Sequence, residues 1–404
     1  MIKNYDIIVI GIQPWDTEIG SNCKDIALEF SKHNRVLYVN SPLDRITSIR
    51  DKNDPKIKKR VRINKNQEPD LVELGPNMWN LYPKGMVESI NWIKNTTLYD
   101  ILNKRNNRIF AKAIQSAIER LGFKNYIVFN DSSMFQGLYI KELLKPLFYV
   151  YYMRDYLVKN PYWKRQGVRL EPELIRKSDV VVNNSTLYTN YGLQYNKHSY
   201  MVGQGCDVSM FNDTLNTIHP AEDLLSIPGP RIGYVGFLSS RRLDIELLAQ
   251  IAKEKPDWSI VLVGPEDNVF SSSELHDITN IYFLGSRDPS VLPQYIKGFD
   301  ICINPQLVND ATRGNYPRKI DEYLAMGKPT VATATEAMEY FKDFTYLATN
   351  STEYVTLIQK AIDENSPELA QSRINFANQH SWENNVQEIF KCIEIVAKER
   401  GISL

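Results

Sequence analysis

Short apolar runs alternate with amphipathic stretches along the whole chain. The first run, YDIIVIG (5–11), is continuous and ends in glycine, which predicts a strand buried on both faces of a parallel sheet. A loop, IQPWDTEIG, follows. SNCKDIALEFSK (21–32) then puts Ile26, Ala27 and Phe30 on one helical face, with Ser21 as its natural cap. RVLYVNSP is the next strand, and this strand–helix–strand order predicts a parallel sheet covered by helices. Residues 45–107 are less regular, with a helix expected around NRIFAKAIQSAIERLG beyond them. Further strands are read at NYIVFND, LFYVYYMRDY, DVVVNNS and KHSYMVG.

The stretch from Phe211 to Pro230 is polar, turn-rich and without period, and predicts an interdomain linker. The alternation then restarts. RIGYVGFL, WSIVLVGP, NIYFLG, DICINPQ and PTVATAT read as strands, separated by helices such as LDIELLAQIAKEKP and VLPQYIKGF. The last helix, SWENNVQEIFKCIEIVAKER, carries Trp382, Val386, Ile389, Phe390, Ile393, Val396 and Ala397 on one stripe that faces a core. The expected organisation is α/β: a Rossmann-like domain over 1–210, a linker over 211–230, a second Rossmann-like domain over 231–380, and a terminal helix over 381–404 packed on the first domain. Two such halves leave a cleft with the strand ends of each sheet facing it.

Composition narrows the class. The chain has 404 residues, 43% hydrophobic and 24% charged, ordinary for a globular protein of two domains. Its formal net charge is zero, so no global field draws it to nucleic acid. The four cysteines stand far apart and form no C-x-x-C pair, which fits a reducing cytoplasm and argues against a metal knuckle. No run approaches the ~20 apolar residues a membrane span needs, and the N-terminal apolar run is a strand rather than a leader's core. One local bias stands out: Arg45 to Lys65 holds nine Lys/Arg and two Asp. With Trp79, Tyr82 and Trp92 nearby, that stretch is expected to meet an anionic membrane surface, the alternative being a solvated charged loop.

Candidate chemistry centres on GNYPRKIDEYLAMGKPTVAT (314–333), a turn, a short helix, a glycine stop and a strand. Pro317 suits a first helical turn, whose free N–H groups and dipole favour an anion. Gly314 allows close backbone approach, and Arg313 and Lys319 add cationic donors. Glu322 does not suit a phosphate, but it can accept hydrogen bonds from the vicinal hydroxyls of a ribose; the alternative is an exposed carboxylate on a solvated helix.

YPRKIDEYLAMGKPTVAT resembles the donor-site signature of GT-B fold glycosyltransferases of the large retaining group called family 4. GYVGFLSSRRLDIELL, WSIVLVGP, NIYFLGSRDPSVLPQYIKGFDICINP and VGQGCDVSMF fall in that family's order, closest in flavour to teichuronic-acid and exopolysaccharide transferases. The resemblance is strong over about 200–380 and weak before it. It implies a GT-B fold and retaining transfer of a sugar from a UDP- or GDP-linked donor to a glycan or lipid-linked acceptor, with no bound metal ion. It further implies that Glu322 matches the second acid of the family's Glu-x7-Glu motif, whose first acid falls on Gly314; Asp310 or backbone would replace it. Gly236 with Arg241 or Arg242 would hold the diphosphate, Arg287 would lie at the base, and Asn315 and Tyr316 would line the donor pocket. Arg242 and Lys319 would stabilise charge developing on the leaving phosphate.

In the first domain, two strands end in acids, Asp131 after Asn130 and Asp155 after Arg154. They are candidates to orient or deprotonate an acceptor hydroxyl, or else to cap the next helix. The loop Gln13–Gly20, with Asp16, Glu18 and Gly20, is expected to contact the acceptor. The expected location is cytoplasmic, peripheral at the inner face of the plasma membrane. The alternatives are a GT-B fold nucleotide-sugar epimerase and a non-catalytic sugar- or nucleotide-binding subunit.

Overall fold

The computed structural model describes residues 2–404 apart from Glu18, Ile19, Thr214, Leu215, Asp310 and Ala311. It divides into two compact units: Met1–Asn184, Tyr188–Gly205 and Asn385–Leu404 form the first, Ser185–Leu187 and Cys206–Asn384 the second. In chain order the elements of the first stretch are β1 (Asp6–Gly11), α1 (Asn22–Ser31), β2 (Arg35–Val39), α2 (Arg45–Arg50), α3 (Pro55–Asn64), β3 (Leu71–Gly75), β4 (Met78–Leu81), α4 (Thr96–Leu121), β5 (Ile127–Asp131), α5 (Ile140–Leu144), β6 (Phe148–Met153), α6 (Pro161–Lys177), β7 (Val180–Asn183), α7 (Thr186–Leu193) and β8 (Ser199–Met201). They are followed by β9 (Arg231–Val235), α8 (Ile245–Glu254), β10 (Ser259–Val263), β11 (Ile281–Gly285), α9 (Leu292–Gly298), β12 (Ile301–Asn304), α10 (Arg318–Ala325), β13 (Thr330–Thr333), β14 (Tyr346–Ala348), α11 (Ser351–Glu364), α12 (Pro367–Asn378) and α13 (Trp382–Glu399).

The first unit is built on an eight-stranded sheet of order β3-β4-β2-β1-β5-β6-β7-β8. All pairings are parallel except the β3–β4 hairpin at one edge. β1, β5 and β6 are buried at every position, as continuous apolar strands between helical layers should be. α13 lies in this layer system from Asn385 onward: Phe390 stacks on Phe30 of α1 at 5.2 Å, and Asn385 donates to the Val202 carbonyl at 2.9 Å. Its buried stripe is Val386, Ile389, Phe390, Ile393, Val396 and Ala397, while Trp382 is only half-buried.

The second unit has a six-stranded, all-parallel sheet, β11-β10-β9-β12-β13-β14. The chain winds outward from β9 through β10 to β11, then returns to place β12 on the other side of β9. The winding therefore reverses between β9 and β12, and open α/β sheets bind ligands beyond the carboxyl ends of the strands at such a point.

Three local expectations are corrected. Ser21 occupies the cap position of α1, but its hydroxyl caps nothing and is buried without a partner. The 211–230 stretch is no free linker: Phe211, Ala221, Leu224 and Ile227 are buried in a core cluster of the second unit. The basic stretch 45–65 is two helices, α2 and α3, each capped by an aspartate, Asp44 and Asp54.

Candidate functional site

At the reversal point the loop after β9 is tied to the loop after β12. Asp244 N–H donates to the Pro305 carbonyl (2.9 Å), Leu307 N–H to the Arg242 carbonyl (2.8 Å), and the Asn309 amide to the Arg241 carbonyl (3.3 Å). From the other flank Asp267 accepts from the backbone and hydroxyl of Ser240 at 2.7 and 3.0 Å. The loop opens at Gly236, with φ +142°, a conformation an L side chain rarely adopts. Gly264 makes room for it: a Cβ there would stand 1.9 Å from the Gly236 carbonyl oxygen.

α10 presents its N-terminus to this loop. The Tyr323 hydroxyl accepts from Val235 N–H at 2.9 Å, pinning the helix to the end of β9. Lys319 then reaches back over the Tyr234 ring, its ammonium 4.9 Å from the centroid. A Cβ at Gly236 would lie 3.4 Å from that ammonium, so loop and lysine are neighbours. Pro317 stands at the cap position rather than within the first turn.

Glu322 sits one turn after Lys319 and is partly buried. Among the described residues its carboxylate has no hydrogen-bond or ion-pair partner. Burial lifts its carboxyl above the usual range, against the nearby charges of Lys319 and Arg318. A carboxylate held out of water with unused lone pairs is an acceptor lacking its donors. Arg318, not singled out in the sequence, joins it on the same helix face; its Nε is buried and unpartnered.

Behind α10 a buried chain braces the helix. The Nδ1 of His380 donates to Asp321 at 2.6 Å, and its Nε2 lies 3.0 Å from the Tyr340 hydroxyl. Cys206 N–H donates to the His380 carbonyl at 2.7 Å. Asp321 is fully buried, and burial raises its carboxyl above the usual range, opposed by the His380 hydrogen bond and charge. The sequence signal for this brace was faint: an acid flanked by Ile320 and Tyr323 with its partner 59 positions away.

Other expected site residues have partners elsewhere. Tyr316 is a core residue, its ring packed on Phe341 at 5.3 Å, rather than a donor contact. Arg313 is exposed and ion-paired to Glu336. Gly314 is buried and takes no positive φ, and Asn315 donates its N–H to Thr312. Arg287 follows the edge strand β11, away from the reversal point, and is spent on Asp223 (2.9 Å) and the Tyr295 hydroxyl (2.5 Å). Arg241 and Arg242 are exposed in the loop before α8, whose cap is Asp244, so neither starts that helix. Asp310 lies outside the described residues.

In the first unit Asp131 is fully buried and held by the Arg154 guanidinium at 2.8 and 3.2 Å, which removes it as a free base. The other face of Arg154 pairs with the half-exposed Asp155 at 2.7 Å. Neither acid caps a helix: α5 begins after Tyr139 and α6 after Asn160. Asp16 is bound to Arg60 of α3 at 2.9 Å, so it anchors the loop rather than offering a carboxylate. Gly20 is exposed with open space around it, and Glu18 lies outside the described residues.

The four arginines of the basic stretch are ion-paired, whereas its five lysines have no ion pair among the described residues. Arg45, Arg50, Arg60 and Arg62 pair with Glu88, Asp51, Asp16 and Glu68. Of its expected aromatic partners, Tyr82 is buried and Trp79 packs against Phe123, leaving Trp92 exposed. Among the described residues no helix is long and apolar enough to cross a membrane, and no cluster of three or more His, Cys, Asp or Glu gathers as metal ligands.

Comparison with known proteins defines the class. Residues 229–364, all within the second unit, match the family described as glycosyl transferases group 1. The chain has the GT-B fold. It superposes on sucrose-phosphate synthase from Thermosynechococcus elongatus with a TM-score of 0.61 at 15% identity, covering 98% of this chain and 100% of that one. On HepE from Anabaena in complex with UDP the TM-score is 0.64 at 16% identity, covering 96% and 99%. A putative teichuronic acid biosynthesis glycosyltransferase, TuaH of Bacillus subtilis (strain 168), is 28% identical over 167 residues. That alignment spans 40% of this chain and 42% of the relative.

Proposed function

We propose that the chain is a glycosyltransferase that takes a sugar from a UDP-linked donor and passes it to a glycan or lipid-linked acceptor in cell-surface polysaccharide synthesis. The observation that carries this is Glu322: an unpartnered, recessed carboxylate one helical turn from Lys319, with Lys319 against the Gly236 loop. Two hydroxyls of a ribose supply the donors the carboxylate lacks, while Lys319 and the N–H groups at the start of α10 take the diphosphate. As the bond to the leaving phosphate breaks, negative charge grows where Lys319 already stands, so the same contacts strengthen in the transition state. UDP is favoured because the solved HepE relative is described in complex with UDP. The polysaccharide setting follows the description of TuaH.

In this reading Lys319 supplies the cationic charge at the phosphates, so transfer proceeds in excess EDTA. Retention of anomeric configuration is part of the proposal and is read from the product's anomeric proton coupling. Asp155 is the better placed of the two first-unit acids to meet an acceptor, since Asp131 is consumed by Arg154. Membrane contact is peripheral and runs through exposed apolar residues, Ile46 and Ile49 of α2 among them. Incubating the chain with radiolabelled UDP-sugars and a bacterial membrane extract tests the proposal. Label moving to lipid or glycan supports it. Interconversion of the free nucleotide sugar supports an epimerase, and binding without turnover supports a non-catalytic subunit.

A further inference from the structure

The first unit contains a cavity of about 450 Å³ whose walls come from α2, the 89–92 loop and the start of α6. Those segments follow β2, β4 and β6, so the cavity belongs to the carboxyl-end side of the first sheet, where open α/β sheets take ligands. Its lining includes Ile46, Arg50, Asn91, Trp92, Tyr162 and Arg165, together with Asp44, whose carboxylate is taken up by the Thr47 N–H and the Ser89 hydroxyl.

Three features of this lining lack a structural purpose. Trp92 and Tyr162 are 66% and 58% exposed, yet both are held in place. The Trp92 indole donates to the Ser89 carbonyl at 2.9 Å, and the Tyr162 ring packs edge-on to Trp163 at 5.5 Å. Fixed, solvent-facing aromatic rings with polar tips suit the apolar face of a sugar. Arg165 has no ion pair among the described residues, only a 3.4 Å hydrogen bond to the Asn91 carbonyl. Arg50 pairs with its exposed neighbour Asp51, a surface contact that contributes little. Asn91 is 8% exposed, and its side-chain oxygen has no hydrogen-bond partner.

The elements around the cavity, and the neighbouring α4, also carry exposed apolar side chains. Ile46 and Ile49 of α2, Leu98 and Ile101 at the start of α4, and Val168 of α6 are all exposed. The Arg169–Asp100 ion pair at 2.7 Å joins α4 to α6. This mix of exposed aliphatic side chains, a tryptophan and cations is that of membrane-interface surfaces.

We propose that this cavity seats the phosphate-linked sugar of a membrane lipid. Arg165, with Arg50, takes the phosphate in charge-assisted hydrogen bonds. Trp92 and Tyr162 flank the sugar, and Ile49, Leu98 and Ile101 meet hydrocarbon at the bilayer surface. That this lipid is the acceptor rests on the transferase reading; that the cavity holds it does not.

The test is co-sedimentation of the full chain with three vesicle types: phosphatidylcholine alone, phosphatidylcholine with phosphatidylglycerol, and phosphatidylcholine with a polyprenyl phosphoryl sugar at equal charge. The wild-type chain should prefer the third over the second by about tenfold, the scale of one charge-assisted phosphate contact. Arg165→Gln and the double variant Trp92→Ala/Tyr162→Ala should lose that preference while keeping the wild-type thermal shift with UDP, which reports an intact fold. Equal binding to the second and third vesicles, or wild-type preference in both variants, overturns the proposal. A chain that shows the lipid preference without any UDP response keeps the cavity assignment and refutes the donor reading instead.

Discussion

Replacing Glu322 by glutamine separates stability from binding, because the two should move in opposite directions. Without ligand, the carboxylate is held from water with no hydrogen-bond partner, and its pKa lies above the usual carboxylate range because of that burial. Glu322→Gln keeps the shape and removes the charge, so unfolding free energy should rise by about 1 kcal/mol, or about 2–4 °C for a unit of this size. The sign follows from linkage. A carboxyl whose folded pKa is raised contributes stability below its unfolded pKa of about 4.3 and loses it as pH rises through the folded value. The variant escapes that loss, so its advantage should grow as pH rises through the folded value and vanish at about pH 4. With UDP the balance reverses. A carboxylate accepting two hydroxyls gains ~1.5–3 kcal/mol from each, whereas glutamine offers one neutral acceptor, so about 2 kcal/mol should be lost and the Kd should rise about 30-fold. Differential scanning fluorimetry across pH and calorimetric titration with UDP read the two halves. An unchanged Kd, or a stability gain that persists at acid pH, would refute the reasoning.

Lys319→Ala should weaken UDP by ~1.5–3 kcal/mol while barely affecting uridine, because the ammonium serves the phosphates; parallel titrations of the two ligands measure the difference. His380→Ala leaves Asp321 buried without its donor. Urea unfolding should show a loss of about 3 kcal/mol, with weaker UDP binding as the start of α10 loosens; an unmoved midpoint would count against the brace. Glu171 is buried on α6, where burial pushes its carboxyl up to about 7 against the hydrogen bond from Tyr151. Its stabilising share is therefore present below its usual pKa and lost as pH rises through about 7. Glu171→Gln should flatten the fall in melting temperature between about pH 6 and pH 8.

The order of the central strands of both sheets was legible because each carries its own period, whereas α2, α3, β3, β4, β14, α11 and α12 went unread. β1, β5, β6 and β10 are unbroken apolar runs, and α13 shows its stripe directly. The start of α10 was legible too, since Pro317, Lys319 and Glu322 cluster within one short segment. What could not be read was the choice of distant partner. Asp16 looks like a free acid until Arg60 arrives from α3, and Arg287 looks like a free cation until Asp223 folds back from the supposed linker. The same limit hid Asp131 behind Arg154, and it concealed how thoroughly the 45–65 arginines are neutralised. Polarity also misled over 211–230, where a few apolar residues, Leu224 and Ile227 among them, suffice to dock a turn-rich segment onto a core. Asp321 was missed because nothing in its neighbourhood announces a histidine brace.

Hydrogen–deuterium exchange of the full chain with and without saturating UDP locates the nucleotide on the second unit. Exchange should slow in two segments of the second unit, 234–243 after β9 and 316–323 at the start of α10, with the first unit's amides largely unchanged. Protection confined to other segments, or no protection at a UDP concentration that shifts the melting temperature, would contradict a nucleotide site at the β9–β12 reversal.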